Sequence, residues 1–286
     1  MPVHSSAVGR KLCKQSVKVG KRQVLAYSAV FGETSPARFD DARPEGITAM
    51  PQYCVALEWP LAIAPETGAA LGLAAGEAQA VIHLRQDSEF HAAIRPGDSL
   101  SIASVLTGVR STGRGAIVSS RTETINAATG ARVVTTHSDA LFMGVAVDGD
   151  DVSSDEAIMP ADEALPQNPE RTSLTVAREL PHLYTECANI WNPIHTERTA
   201  ALAAGLPDII LHGTATWALA GQAIAQRYAD AGRLRRLAGE FSAMVIPGED
   251  IVIEHARTDT NTVHFIVRNH EGAVAIRNGV AEIRQE

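Results

Sequence analysis

The sequence predicts an α+β protein of two similar halves, each a central helix set against an antiparallel sheet. Three observations carry this expectation. An acidic, proline-containing stretch lies at the middle of the chain, a gapless repeat spans it, and the same order of elements follows on either side.

The middle stretch is residues 148–170, DGDDVSSDEAIMPADEALPQNPE. It contains Pro160, Pro166 and Pro169 and shows no sustained hydrophobic period, which is the composition of a solvated linker. It divides the chain into an N-terminal domain at 1–147, a linker at 148–170 and a C-terminal domain at 171–286. The repeat pairs residues 88–102, SEFHAAIRPGDSLSI, with residues 239–253, GEFSAMVIPGEDIVI. Glu89, Phe90, Ala92, Pro96 and Gly97 meet Glu240, Phe241, Ala243, Pro247 and Gly248 without a gap. In each copy a Pro-Gly turn signal leads into an alternating strand, Leu100 and Ile102 in one, Ile251 and Ile253 in the other. A second pair of anchors, Tyr27 with Tyr184 and Pro36 with Pro193, repeats at equal spacing.

Each half then shows one layout. An apolar helix is predicted at 50–63 and again at 213–228, where apolar and polar faces mix at helical spacing. Strands are expected near 80–84, 99–109, 116–125 and 132–143, and near 239–245, 250–257, 262–269 and 273–283. A helix wrapped by a curved antiparallel sheet is the hot-dog arrangement. Two copies predict a double hot-dog, two sheets each round its own central helix, forming one pseudo-dimer.

Composition narrows the function classes. The net charge of −8 over 286 residues argues against nucleic acid or an anionic membrane as partner. Three scattered cysteines, Cys13, Cys54 and Cys187, form neither a disulfide framework nor a zinc pattern. The ten histidines show no metal-ligand spacing. The lysine-bearing N-terminus, with no apolar run, does not read as a signal peptide. No stretch approaches the ~20 apolar residues that span a bilayer. A cytoplasmic protein with no cofactor and no metal is expected.

Residues 184–221, YTECANIWNPIHTERTAALAAGLPDIILHGTATWALAG, carry the chemistry. Asn192-Pro193-Ile194-His195 is followed by His212-Gly213 at the expected helix start. This resembles the MaoC-like (R)-specific enoyl-CoA hydratases and 3-hydroxyacyl-thioester dehydratases, which carry Asp-x-Asn-Pro-(Leu/Ile)-His and then His-Gly. The position of the family aspartate lies 23 residues before the helix-start glycine here too. The likeness extends over nearly the whole chain, the first half resembling the degenerate N-terminal domain of double hot-dog members. The resemblance implies a hydro-lyase acting on 2-enoyl or 3-hydroxyacyl thioesters of coenzyme A or an acyl carrier.

The residue types suit that reaction. Negative charge builds on the thioester oxygen as the enolate forms, and the N–H of Gly213, at the positive end of a helix, can meet it. His195 has the intrinsic acidity for both proton transfers. The amide of Asn192 can hold the water or the substrate hydroxyl, with capping of its own loop as the structural alternative. Ile190, Trp191 and His212 flank these residues and are candidates for substrate contact. A core role for the tryptophan and a helix-start hydrogen-bond role for His212 are the alternatives.

One position departs from the family pattern. Ile190 stands where the aspartate belongs, and Ile carries no proton. Three readings follow: His195 performs both transfers, a nearby carboxylate such as Glu186 or Glu197 substitutes, or the site binds thioesters with weak or no turnover. A hot-dog thioesterase is a further rival. In the first half Ser35 stands opposite Asn192, Arg38 opposite His195, and Met50-Pro51 roughly opposite His212-Gly213, so that copy lacks the base. The expected partners are the acyl-CoA or acyl-carrier thioester and a second copy of the chain as a homodimer.

Overall fold

The computed structural model describes residues 1–74, 77, 81–154, 165–228 and 233–283. It divides into two compact units, one of Met1–Lys18, Leu57–Ala92 and Ser99–Pro160, the other of Val19–Ala56, Ala93–Asp98 and Ala161–Glu286. The units do not follow the midpoint of the chain, because residues 19–56 and 93–98 lie with the C-terminal half. The centre of the linker, 155–164, is outside the described residues. Its two ends carry short strands.

In the first unit, strands β2 (Lys11–Lys18), β3 (Val81–Phe90), β4 (Ser99–Thr112), β5 (Gly115–Asn126) and β6 (Arg132–Met143) form an antiparallel sheet in the order β2-β4-β5-β6-β3. Strand β1 (Val3–His4) pairs with β7 (Val147–Asp148), and β8 (Val152–Ser153) adds to β4. Leu12, Leu71, Leu106, Val109, Val118 and Phe142 lie in one buried core. In the second unit β9 (Glu170–Thr175), β10 (Leu234–Phe241), β11 (Asp250–Arg257), β12 (Thr262–Arg268) and β13 (Val274–Ile283) take the order β9-β11-β12-β13-β10. The two orders are the same, strand for strand, and the fold is the double hot-dog.

Duplication extends to single hydrogen bonds. Lys18 pairs with Ser99 and Val17 with Leu100, as Thr175 pairs with Asp250 and Leu174 with Ile251. Val19 donates to Asp98 O and Gly97 to Val19 O, as Val176 donates to Glu249 O and Gly248 to Val176 O. Ala49 donates to Ile94 O at 2.9 Å, and Leu211 to Val245 O at 2.8 Å. The last pair fixes Met50-Pro51 as the counterpart of His212-Gly213.

Helices occupy matching places as well. In chain order they are α1 (Lys21–Val30), α2 (Pro36–Phe39), α3 (Cys54–Ala62), α4 (Pro65–Leu71), α5 (Leu180–Ala188), α6 (Arg198–Ala203) and α7 (Gly213–Tyr228). α3 follows a 3-10 turn at Pro51–Tyr53, and with α7 it accounts for both predicted central helices. α7 is rich in alanine, and all of Thr214–Ala218 and Ala220–Ala225 is buried. Burial on every side is what a helix wrapped by a sheet requires. α1 packs on α5 with the Tyr27 and Tyr184 rings 6.0 Å apart. Each tyrosine hydroxyl reaches the start of its central helix, Tyr27 to Gln52 O at 2.9 Å and Tyr184 to Thr214 Oγ1 at 3.0 Å.

Two sequence expectations are corrected, the first being the strand expected near 80–84, which continues toward the Pro-Gly turn as Val81–Phe90. The strand placed at 239–245 is Leu234–Phe241, which starts earlier, and beyond it the N–H groups of Ser242 and Ala243 still bond to Ala275 O and Val274 O before the Pro-Gly turn. Strands β2 and β9 and helices α1 and α5 were not anticipated. Among the described residues no helix is long and apolar enough to cross a membrane.

The matched turns give a test of the duplicated frame. Gly97 and Gly248 sit at φ 92 and 93, where a side chain is strained. Gly248→Ala and Gly97→Ala should each cost about 1–3 kcal/mol, read as a lower denaturation midpoint. An unchanged midpoint in either variant would show that its turn does not hold the sheet.

Candidate active site

The site is built where α5, a 3-10 turn and the start of α7 meet in the second unit. α5 ends at Asn189 in the left-handed conformation (φ 55), one of the few non-glycine types that tolerates it. The chain then turns through Ile190 and Trp191 into Pro193–His195. Asn192 caps that turn, its Oδ1 accepting from Ile194 N at 3.3 Å. Ser35 does the same at the start of α2, its Oγ accepting from Ala37 N at 3.3 Å. The capping role expected as the alternative for Asn192 is therefore present, and it uses the carbonyl oxygen of the side chain.

His195 is set by two neighbours. Its Nδ1 lies 2.8 Å from Ile210 O. A carbonyl only accepts, so Nδ1 carries the hydrogen and Nε2 holds the free lone pair of the neutral ring. Its ring stacks on His212, centroids 3.7 Å apart and planes 24° from parallel. Burial lowers the pKa of His195, the bond to Ile210 O partly opposing it, so the ring is a neutral base at neutral pH. His212, only 2% exposed, is pushed down to about 2 by burial and by the charge His195 would carry, the Ile190 main chain opposing this. Its Nε2 lies 3.2 Å from Thr185 Oγ1, and the Tyr184 ring stands edge-on at 5.0 Å.

Gly213 follows His212 directly and opens α7. The His212 carbonyl receives the N–H groups of Ala215 and Thr216. Among the described residues the N–H groups of Gly213 and Thr214 meet no main-chain acceptor, which leaves an anion-attracting helix end. Thr214, Ala215, Thr216 and Trp217 are buried, whereas Gly213 keeps partial exposure. A Cβ at Gly213 would stand 3.0 Å from the Phe241 ring, so the close approach of strand β10 also calls for glycine.

The structure thus brings His195, His212 and Gly213 together, with Asn192 in the turn that carries His195. It separates the other two candidates. Ile190 is 3% exposed and sits in the core, whereas Trp191 is 61% exposed. Glu186 and Glu197 are both exposed, and among the described residues no carboxylate pairs with His195. In the first half, Arg38 takes the place of His195 and aims its Nη1 at Thr48 and at Ala49 O (2.9 Å), in the loop equivalent to Ile210 and Leu211. Thr185 and the Ile210 carbonyl escaped the sequence reading. Thr185 follows the Tyr184 anchor, and comparison with Ser28, after Tyr27, was the signal available for it.

Comparison with known proteins agrees with this fold. Residues 162–278 match the MaoC like domain, and residues 6–136 match the FAS1-like, dehydratase domain region. The chain is similar to 3-hydroxyacyl-thioester dehydratase Y of Mycobacterium tuberculosis, 26% identical over 253 residues that cover 85% of this chain and 84% of that one. It is 31% identical over 96 residues, 32% of its length, to peroxisomal multifunctional enzyme type 2 of Mus musculus, and spans only 13% of that protein. The crystal structure of a MaoC-like dehydratase from Phytophthora capsici superposes with a TM-score of 0.82 at 19% identity, covering 97% of both chains.

The buried imidazoles have a consequence for stability. In the unfolded chain residue 212 takes up a proton below the ordinary imidazole pKa, and in the folded chain it does not. The stabilisation is therefore full above that value and is lost as pH falls. Between pH 7 and 5 the wild type should lose about 2 kcal/mol more than His212→Phe, measured by denaturant titration at each pH. Parallel slopes for the two proteins would show that His212 is protonated in the fold.

Proposed function

The chain belongs to the MaoC-like dehydratase family, and from that premise we propose that it interconverts 2-enoyl and 3-hydroxyacyl thioesters of coenzyme A or an acyl carrier. The observation that carries this reading is the presentation of His195. One ring nitrogen is tied to the Ile210 carbonyl, the other is free and unprotonated, and the ring lies beside the helix start at Gly213. In hydration, water adds to the β-carbon while His195 Nε2 accepts its proton. The electrons of the double bond move to the thioester oxygen, where the Gly213 N–H stabilises the enolate. The imidazolium returns the proton to the α-carbon, so one water is added and the base is restored. Asn192, with its carbonyl oxygen engaged in the cap, offers its NH₂ to the water or the product hydroxyl.

Ile190 shapes the expected rate. With a buried alkyl group in place of the aspartate, a single histidine carries both transfers, and a second general catalyst would typically contribute about 10²–10⁴. A slow hydratase is the reading this favours. The rival favoured by the same observation is a thioester-binding protein without turnover. A thioesterase lacks support, since no carboxylate joins the described site.

A panel of short and medium 2-enoyl-CoA substrates, followed by loss of enoyl absorbance with CoA release measured alongside, separates the three. Hydration without CoA release is expected, and His195→Gln should lower kcat/KM by about 10²-fold or more with an unchanged melting temperature. CoA release would point to a thioesterase, and binding without either product to a silent module. Equal turnover in His195→Gln would remove the proposed base.

A further inference from the structure

We propose that His212 is a positioning residue for His195. Its flat ring, held from behind by Thr185 and Tyr184, fixes the plane of the His195 imidazole while the Ile210 carbonyl fixes its tautomer. This rests on the reading of His195 as the base and goes beyond it by assigning a task to a residue that makes no step of its own.

The geometry supports it first. Held only at Cγ and by the hydrogen bond at Nδ1, the His195 ring could still rock out of its plane. A face-to-face neighbour at 3.7 Å and 24° removes that freedom. The neighbour is itself immobilised, with Thr185 Oγ1 3.2 Å from its Nε2 and the Tyr184 edge at 5.0 Å. Tyr184 is anchored in turn on Thr214.

The internal duplicate supplies an independent comparison. Arg38 replaces His195, and the residue replacing His212 is Met50, fully buried. Ser28 replaces Thr185, and with no ring nitrogen to meet, its hydroxyl turns back to Val24 O at 3.0 Å on its own helix. Tyr27 keeps the place of Tyr184 and still reaches the central helix. The copy without the histidine base lacks the stacked histidine, the hydroxyl in the place of its partner is spent on its own helix, and the structural tyrosine is kept. A purely architectural role for the His212-Thr185 pair would not track the base in this way.

The charge state fits the task. During reaction His195 passes through the imidazolium, which a protonated neighbour would repel. Burial keeps His212 neutral throughout. The titratable groups that face the pair are His195, His212 and Tyr184, and apart from the charge His195 itself would carry, no acidic or basic side chain shifts either histidine.

The test uses the full chain labelled with ¹⁵N-histidine, the His195 signals assigned by their loss in His195→Gln. In the wild type His195 should show the Nδ1–H tautomer and titrate below the ordinary imidazole value. His212→Ala should yield mixed tautomers and an upward shift toward that value, because water reaches the ring. His212→Phe, which keeps a flat ring without nitrogens, should retain the wild-type pattern. In turnover of a short 2-enoyl-CoA, His212→Ala should lower kcat about 10-fold with KM within about 3-fold, and move the acid limb of the rate profile to higher pH. His212→Phe should recover most of the loss. Unchanged His195 tautomer and titration in a folded His212→Ala, or a phenylalanine variant no better than the alanine one, overturns the proposal. A wild type with the expected His195 signals and no turnover would sustain the positioning role while removing the hydratase reading.

Discussion

Residues 210–212 are held from several directions at once, and the candidate site depends on that. Ile210 N–H meets Ile194 O, Ile210 O accepts from His195, Leu211 N–H bonds to Val245 O, and the His212 carbonyl starts the ladder of α7. A loop pinned this way delivers the helix N-terminus and the histidine ring to one place without a flexible join. Preorganisation of this kind costs no rearrangement when charge develops during reaction. Relaxing any one tie would let the helix start and the base move separately.

The two halves show how one frame can be kept while its chemistry is removed. Both copies pin the equivalent loop to the strand turn, at Ala49–Ile94 and Leu211–Val245, and both place a tyrosine over the helix start. In the first copy the polar head that reaches back to the loop is a buried guanidinium. Arg38 can donate to Thr48 and Ala49 but cannot accept a proton. Pro51 also has no N–H to offer at its helix start. The N-terminal copy therefore preserves the mechanical role of the His195–Ile210 contact and lacks both the base and the first helix donor.

Much of the fold was legible in the chain because its strongest signals are local. The Pro-Gly turns, their alternating strands and the alanine-rich helix each follow from short-range rules, and the repeat doubled every signal. The edge strands were hidden by their composition. Lys11, Lys14 and Lys18 in β2 break up the alternating apolar pattern that marks a strand, yet lysines on an edge strand discourage pairing with other chains. The start of β10 was masked by Arg233, Arg235 and Arg236, where Arg236 pairs with Glu282 at 3.1 Å and the neighbouring Leu234 and Leu237 are buried. In the site, Asn192, His195, His212 and Gly213 could be named because side-chain chemistry leaves a pattern in sequence. The Ile210 carbonyl could not, since every residue has one, and the histidine stack exists only through tertiary placement of α5 against α7.

The central claim is that His195 and the start of α7 act on the same thioester. The most direct measurement is the crystal structure of the protein with a bound 3-hydroxyacyl-CoA. The account predicts the thioester oxygen ~2.7–3.1 Å from the Gly213 amide nitrogen, and the 3-hydroxyl within hydrogen-bond reach of His195 Nε2 and the Asn192 NH₂. A ligand whose thioester lies away from Gly213, or whose hydroxyl is held by groups other than His195, would contradict it.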